Sequence, residues 1–86
     1  MKNPHSGGVG PRNVIASRVR KARLALDLTQ DELSGCMAKR HVFVDRVAIT
    51  MVENGQRCVF HFELRAFAEA LKIDVKWLLG MVESGG

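Results

Sequence analysis

From Arg12 onward the apolar residues recur at helical spacing. Ile15, Val19, Ala22 and Leu26 fall at i, i+4, i+7 and i+11, while Arg18, Arg20 and Lys21 lie elsewhere on the wheel. Asp27-Leu28 breaks this first run. Thr29 with Glu32 three positions on forms a capping box, predicting a second helix from Gln30 to about Arg40 that buries Leu33 and Met37. His41-Val42-Phe43-Val44 reads as an extended link. Asp45 then caps a short third helix with Ile49 and Val52 inward, stopped by Asn54-Gly55. Leu64, Phe67, Ala68 and Leu71 trace a fourth helix. Asp74 caps a fifth that runs through Leu79 and is ended by Gly80. No stretch alternates as a strand would, so the pattern predicts an all-α domain of five short helices.

Length narrows the function. A chain of 86 residues hides only about 60–65% of its unfolded surface. One small core is therefore expected, with no separate ligand-binding domain and no deep enclosed pocket. Residues 1–11 hold three glycines and both prolines and read as a flexible arm, with the domain over 12–80 and a tail over 81–86. No apolar run approaches the ~20 residues of a membrane helix. Met1-Lys2-Asn3-Pro4 leads into glycines rather than a signal-peptide core. A cytoplasmic protein without a membrane partner is expected.

Charge adds direction. Thirteen Lys+Arg against nine Asp+Glu give a net +4, and the excess sits at one end. Residues 1–26 hold Lys2, Arg12, Arg18, Arg20, Lys21 and Arg23 with no acid. A basic segment on an otherwise balanced domain suits a polyanion, although Arg12, Arg18, Arg20 and Lys21 read equally as a solvated face. Cys36 and Cys58 are too few for a disulfide-stapled domain and read as reduced thiols. With His41 and His61 they form two Cys/His pairs, but neither has a zinc-knuckle spacing, so no metal or other cofactor is expected. No nucleophile stands beside a base, and Asp31-Glu32 serve a helix N-terminus. The chain does not read as an enzyme with a small-molecule substrate.

Two charges stand where apolar residues belong. Arg23 lies i+4 from Val19, at the edge of the first helix's buried stripe, and Glu53 lies i+4 from Ile49 on the inward side of the third. A lone charge beside a core is costly, whereas an Arg and a carboxylate that meet satisfy each other. The pair is expected to tie the first helix to the end of the third, the alternative being that both side chains reach out to solvent.

The run Ile15…Arg23…Leu28-Thr29-Gln30-Asp31-Glu32-Leu33…Ile49-Thr50-Met51-Val52-Glu53-Asn54-Gly55-Gln56-Arg57…Leu64…Ala68…Leu71…Trp77-Leu78-Leu79 resembles the Cro/C1 (XRE-type) helix-turn-helix family of DNA-binding regulators. The likeness spans residues 11–80. It implies a compact five-helix, lambda-repressor-like bundle. The stretch from Leu33 to Ile49 is longer than in the phage repressors, which resembles a branch with an extended second helix and turn.

The resemblance also implies roles. The third helix would enter the major groove with Arg46, Val47, Thr50 and Met51 toward base edges, a set that helical spacing independently turns away from the core. Arg46 would bind guanine; Val47, Thr50 or Met51 would meet a thymine methyl. Gln30 would hold a phosphate at the start of the second helix, and Asn54, Gln56 and Arg57 would grip the far side of the groove. Arg23 and Glu53 match the family's interhelical ion pair. Three residues depart from the pattern. Met51 replaces a usually polar residue, His41 stands where a turn glycine is common, and His61 stands where a better N-cap would precede the fourth helix.

The expected function is a sequence-specific transcriptional regulator, a repressor, that binds double-stranded DNA as a homodimer on half-sites ~34 Å apart. Trp77, Leu78, Met81 and Val82 either form the dimer surface or, for Trp77 and Leu78, close the core. The alternative is a protein-interaction module that keeps the fold without DNA readout. Outward Val47, Met51 and Phe43 motivate that alternative.

Overall fold

The computed structural model describes residues 11–83. Five helices follow in order: α1 Pro11–Ala25, α2 Gln30–Ala38, α3 Arg46–Glu53, α4 His61–Leu71 and α5 Val75–Leu78. There is no strand among the described residues. α1 begins at Pro11, inside the segment read as an arm; the rest of that arm, and the tail beyond Glu83, lie outside the described residues. The core is one cluster. Val19 of α1, Leu33 and Met37 of α2, Ile49 and Val52 of α3, Phe67 and Leu71 of α4 and Leu78 of α5 are sealed from solvent. α1 packs against α3, α4 and α5, and α2 against α3 and α4, so the first helix is the common wall.

The helix starts follow from local hydrogen bonding. Thr29 Oγ1 accepts from the Glu32 N–H at 3.0 Å, and Glu32 Oε1 accepts from the Thr29 N–H at 2.8 Å. Asp45 accepts from the Ala48 N–H at 2.8 Å and Asp74 from the Lys76 N–H at 2.7 Å. α4 is capped from the inside only. Phe60 has no oxygen to offer, and Glu63 reaches back to accept from the Phe60 N–H at 3.0 Å.

All five helices end in the same Schellman geometry, with one residue in the left-handed region: Asp27, His41, Gly55, Lys72 and Gly80, φ 59–78°. Leu28, Val42, Gln56, Ile73 and Met81 each donate backward to the carbonyls of Arg23, Met37, Met51, Ala68 and Lys76. Leu28, Val42 and Ile73 also pack on the core, so those three turns are closed by packing as well as hydrogen bonds. At Gly55 an added Cβ would lie 2.8 Å from Asn13 Oδ1, and at Gly80 2.7 Å from Val14 Cγ1. Those two glycines let α1 lie directly on the ends of α3 and α5.

The other three positions carry a Cβ in a conformation that costs an L-residue roughly 1–2 kcal/mol. His41→Gly should therefore stabilise the fold by about 0.5–1 kcal/mol after the glycine's own entropy is deducted. The midpoint of denaturant unfolding reads this, and an unchanged or lowered midpoint would contradict it.

Three expectations need correction. Leu26 lies beyond the end of α1, where the wheel no longer applies, and is 40% exposed. Regular α2 stops at Ala38 because His41 turns left-handed, so the extra chain length lies in the 39–45 link. Arg18 is not on a solvated face. Its Nη1 donates to the Trp77 carbonyl at 2.7 Å and the Val82 carbonyl at 2.9 Å, and its guanidinium stacks on the Trp77 ring at 5.0 Å. Trp77 and Leu78 are buried and close the core, leaving Met81 and Val82 as the exposed apolar residues at that end.

Candidate nucleic-acid interface

Asp45 starts α3 so that Ile49, Val52 and Glu53 turn inward. The opposite face carries Arg46, Val47, Thr50 and Met51. The Arg46 side chain is 59% exposed, Val47 57% and Met51 38%, with Thr50 half-buried. Arg46 Nε lies 3.8 Å from Asp31 Oδ1 across the helix-turn-helix, an exposed contact of little energetic weight.

Beneath this face lies a buried polar network. Arg23 Nε donates to Glu53 Oε2 at 2.6 Å and Nη2 to Oε1 at 3.0 Å, a two-pronged pair. The third prong, Nη1, donates to the Leu28 carbonyl at 2.8 Å. Gln30 Nε2 also donates to Glu53 Oε1, at 3.1 Å, and Gln30 Oε1 accepts from Thr50 Oγ1 at 2.9 Å. One carboxylate thereby joins α1, the start of α2 and the outward side of α3. The hydrogen bonds to Glu53 raise the Arg23 pKa against the opposing effect of burial. No buried side-chain polar atom among the described residues lacks a partner.

Gln30 is thus held at both ends of its amide inside the protein, with one of its two Nε2 hydrogens used.

The far side also differs from expectation. Asn54 and Gln56 are exposed. Arg57 instead folds back on α4, where Nη1 and Nη2 donate to the Glu63 carboxylate at 2.9 and 2.8 Å. Its guanidinium also lies 5.9 Å from the centre of the Phe60 ring. Arg57 is thus a structural cation with its charge already matched. The cations beside Asn54 are Arg20 and Lys21 of α1, which line one open groove with Asn13, Glu53 and Asn54. Neither makes an ion pair among the described residues. Arg23 fixes the rotational phase of α1 against Glu53, and residue 20, one turn earlier, is carried to the end of α3.

The Arg57 hydrogen bonds hold the Glu63 carboxyl below its ordinary value of 4.5, outweighing burial. A depressed carboxyl stabilises the fold above the unfolded value and loses that contribution as pH falls through the folded one. The stability lost on going below pH 4.5 should therefore be smaller in Glu63→Gln than in the native chain. Urea midpoints above and below that pH measure it; equal losses would refute the coupling.

Cys36, His41, Cys58 and His61 do not converge. No group of three or more His, Cys, Asp or Glu among the described residues is placed to hold a metal. No helix among them is long and apolar enough to cross a membrane.

Comparison with known family profiles and with curated proteins gives no match. Among solved structures, the chain is similar to the restriction-modification controller protein C.AhdI from Aeromonas hydrophila. Identity is 30%, the alignment covers 77% of this chain and 88% of that one, and the TM-score is 0.67. It is also similar in fold to the hypothetical transcription factor NHTF from Neisseria, at 22% identity over 90% of this chain and 88% of that one, with a TM-score of 0.69. The identity shared with the controller, over most of its length, agrees with the capped helix-turn-helix and the five-helix core: the chain belongs to the Cro/C1 (XRE-type) helix-turn-helix family.

Proposed function

We propose that this protein is a sequence-specific transcriptional regulator that lays α3 in the major groove and represses by occupying its operator. Arg46, Val47, Thr50 and Met51 face base edges. Asn54, Gln56, Arg20, Lys21 and the N-terminal backbone of α2 face phosphates, and the role read from sequence for Arg57 passes to the α1 cations. The observation that carries this reading is the Arg23–Glu53–Gln30–Thr50 network. It fixes an outward-facing helix to the domain, with Arg20 and Lys21 beside that helix's C-terminal end. The likeness to a controller protein supports regulation rather than catalysis.

A single domain of this size buries roughly 600–1,000 Å² on DNA, so two copies on an inverted repeat are proposed, met in the cytoplasm. A second reading, a protein-interaction module, draws on Phe43, 79% exposed, and on the exposed stacked pair Phe60 and Phe62.

Selection of bound duplexes from a random library, followed by titration of the winner at two salt concentrations, separates the two. An enriched inverted repeat held far more tightly than random DNA is the expected result. Sequence-blind binding lost at moderate salt would leave only the basic face acting and favour the protein-interaction reading.

A further inference from the structure

The groove-facing surface of α3 is poor in hydrogen-bonding groups in a way that the sequence alone does not reveal. Val47 has none, and the Met51 thioether is at most a weak acceptor. The single hydroxyl hydrogen of Thr50 is held inside the protein, facing Gln30 Oε1 at 2.9 Å and the Arg46 carbonyl at 3.0 Å. Thr50 therefore cannot donate to a base without breaking the network that positions α3. What remains on this face is the Val47 side chain, the Thr50 methyl and the Met51 side chain, with Arg46 alone as a strong donor. Arg46 stands at the N-terminal end of the apolar strip, and Arg20 and Lys21 line a groove with Glu53 and Asn54 beyond its C-terminal end.

The apolar group that major-groove edges present is the pyrimidine 5-methyl. Val47 and Met51 are one helical turn, ~6 Å, apart, close to two base-pair steps of ~3.4 Å. We propose that α3 reads the 5-methyl groups of pyrimidines, those of thymine and of 5-methylcytosine alike, through Val47, Thr50 and Met51, with Arg46 supplying the one directional base contact. The proposal rests on the DNA-docking reading above. It adds that occupancy of the operator responds to methylation of cytosine at the positions this strip covers.

The test uses the full chain and the duplex recovered by selection. Each thymine of a half-site is replaced in turn by deoxyuridine, which removes only the methyl. Separately, each cytosine is replaced by 5-methylcytosine, which adds only one. Uracil should weaken binding about 3–5-fold at each contacted position, the size expected from one buried methyl group. 5-Methylcytosine should tighten binding by a similar factor where the strip meets a cytosine. In Val47→Ala, which alters an exposed side chain, the thymine-to-uracil ratio at the Val47 contact should fall to near one while the other ratios persist. A loss on uracil without any gain on 5-methylcytosine would overturn the response to cytosine methylation and with it the proposal. Ratios of one at every position of an operator still bound specifically would overturn the proposal and leave the docking reading standing. If selection enriches no sequence, the docking reading falls first and the proposal with it.

Discussion

Glu53→Leu should lower the stability of this domain by about 3–5 kcal/mol, the range for removing one partner of a buried ion pair. At roughly 4–8 °C per kcal/mol for a domain of this size, the melting temperature should drop by at least ~12 °C. The size follows from what is left behind. Arg23 keeps its bond to the Leu28 carbonyl but loses both prongs on the carboxylate, in a setting where it is only 8% exposed. Gln30 loses its acceptor, and through it the Thr50 hydroxyl loses its anchor. An apolar partner on the other side should undo part of the damage: Arg23→Met with Glu53→Leu should be more stable than Glu53→Leu alone, because no charge is stranded. Thermal unfolding of the native chain, the two single variants Glu53→Leu and Arg23→Met, and the double variant completes the cycle. A Glu53→Leu protein melting within ~2 °C of the native one would mean that the pair is energetically idle.

Arg46→Ala should cost about 1–3 kcal/mol of binding to the selected operator, roughly 5–150-fold, and relax preference at one base pair. The fold should be unaffected, since Arg46 is exposed and its contact with Asp31 is long. Asp31 supplies the control. It stands beside the start of α2, where phosphate is expected, and draws Arg46 toward itself in the free protein. Asp31→Asn should therefore tighten binding several-fold at low salt, with the gain shrinking as salt screens it. Equal affinity and equal base preference in Arg46→Ala would show that α3 docks in some other orientation.

The parts of this molecule legible in the sequence are those whose cause is local. Thr29 with Glu32, Asp45 and Asp74 announce helix starts because each bonds a neighbour two or three residues on. Ile49 and Val52 define the inner face of α3, which leaves 46, 47, 50 and 51 outside by geometry alone. Arg23 and Glu53 stand out as charges at apolar positions, and they meet. Harder to see were helix ends without glycine: Asp27, His41 and Lys72 adopt the same left-handed turn as Gly55 and Gly80. The Arg57–Glu63 pair is harder to see because the partner lies on the next helix; the signal available was Glu63 at the third position of α4, where a carboxylate is already drawn inward. Arg18 was misread for the opposite reason. Its partners are 59 and 64 residues away, and nothing near it in the chain hints at them.

That long-range grip of Arg18 on Trp77 and Val82 sets an order of events for a chain made from its N-terminus. Of the five helices described, α1 is made first; α3 covers one part of its core wall and supplies Glu53 to Arg23, while the part under α4 and α5 stays open until they follow. Arg18 has nothing to hold until residue 82 is free. A chain ending before α5 should therefore keep the α1–α3 clamp but leave part of α1 uncovered, an aggregation-prone species rather than a finished domain.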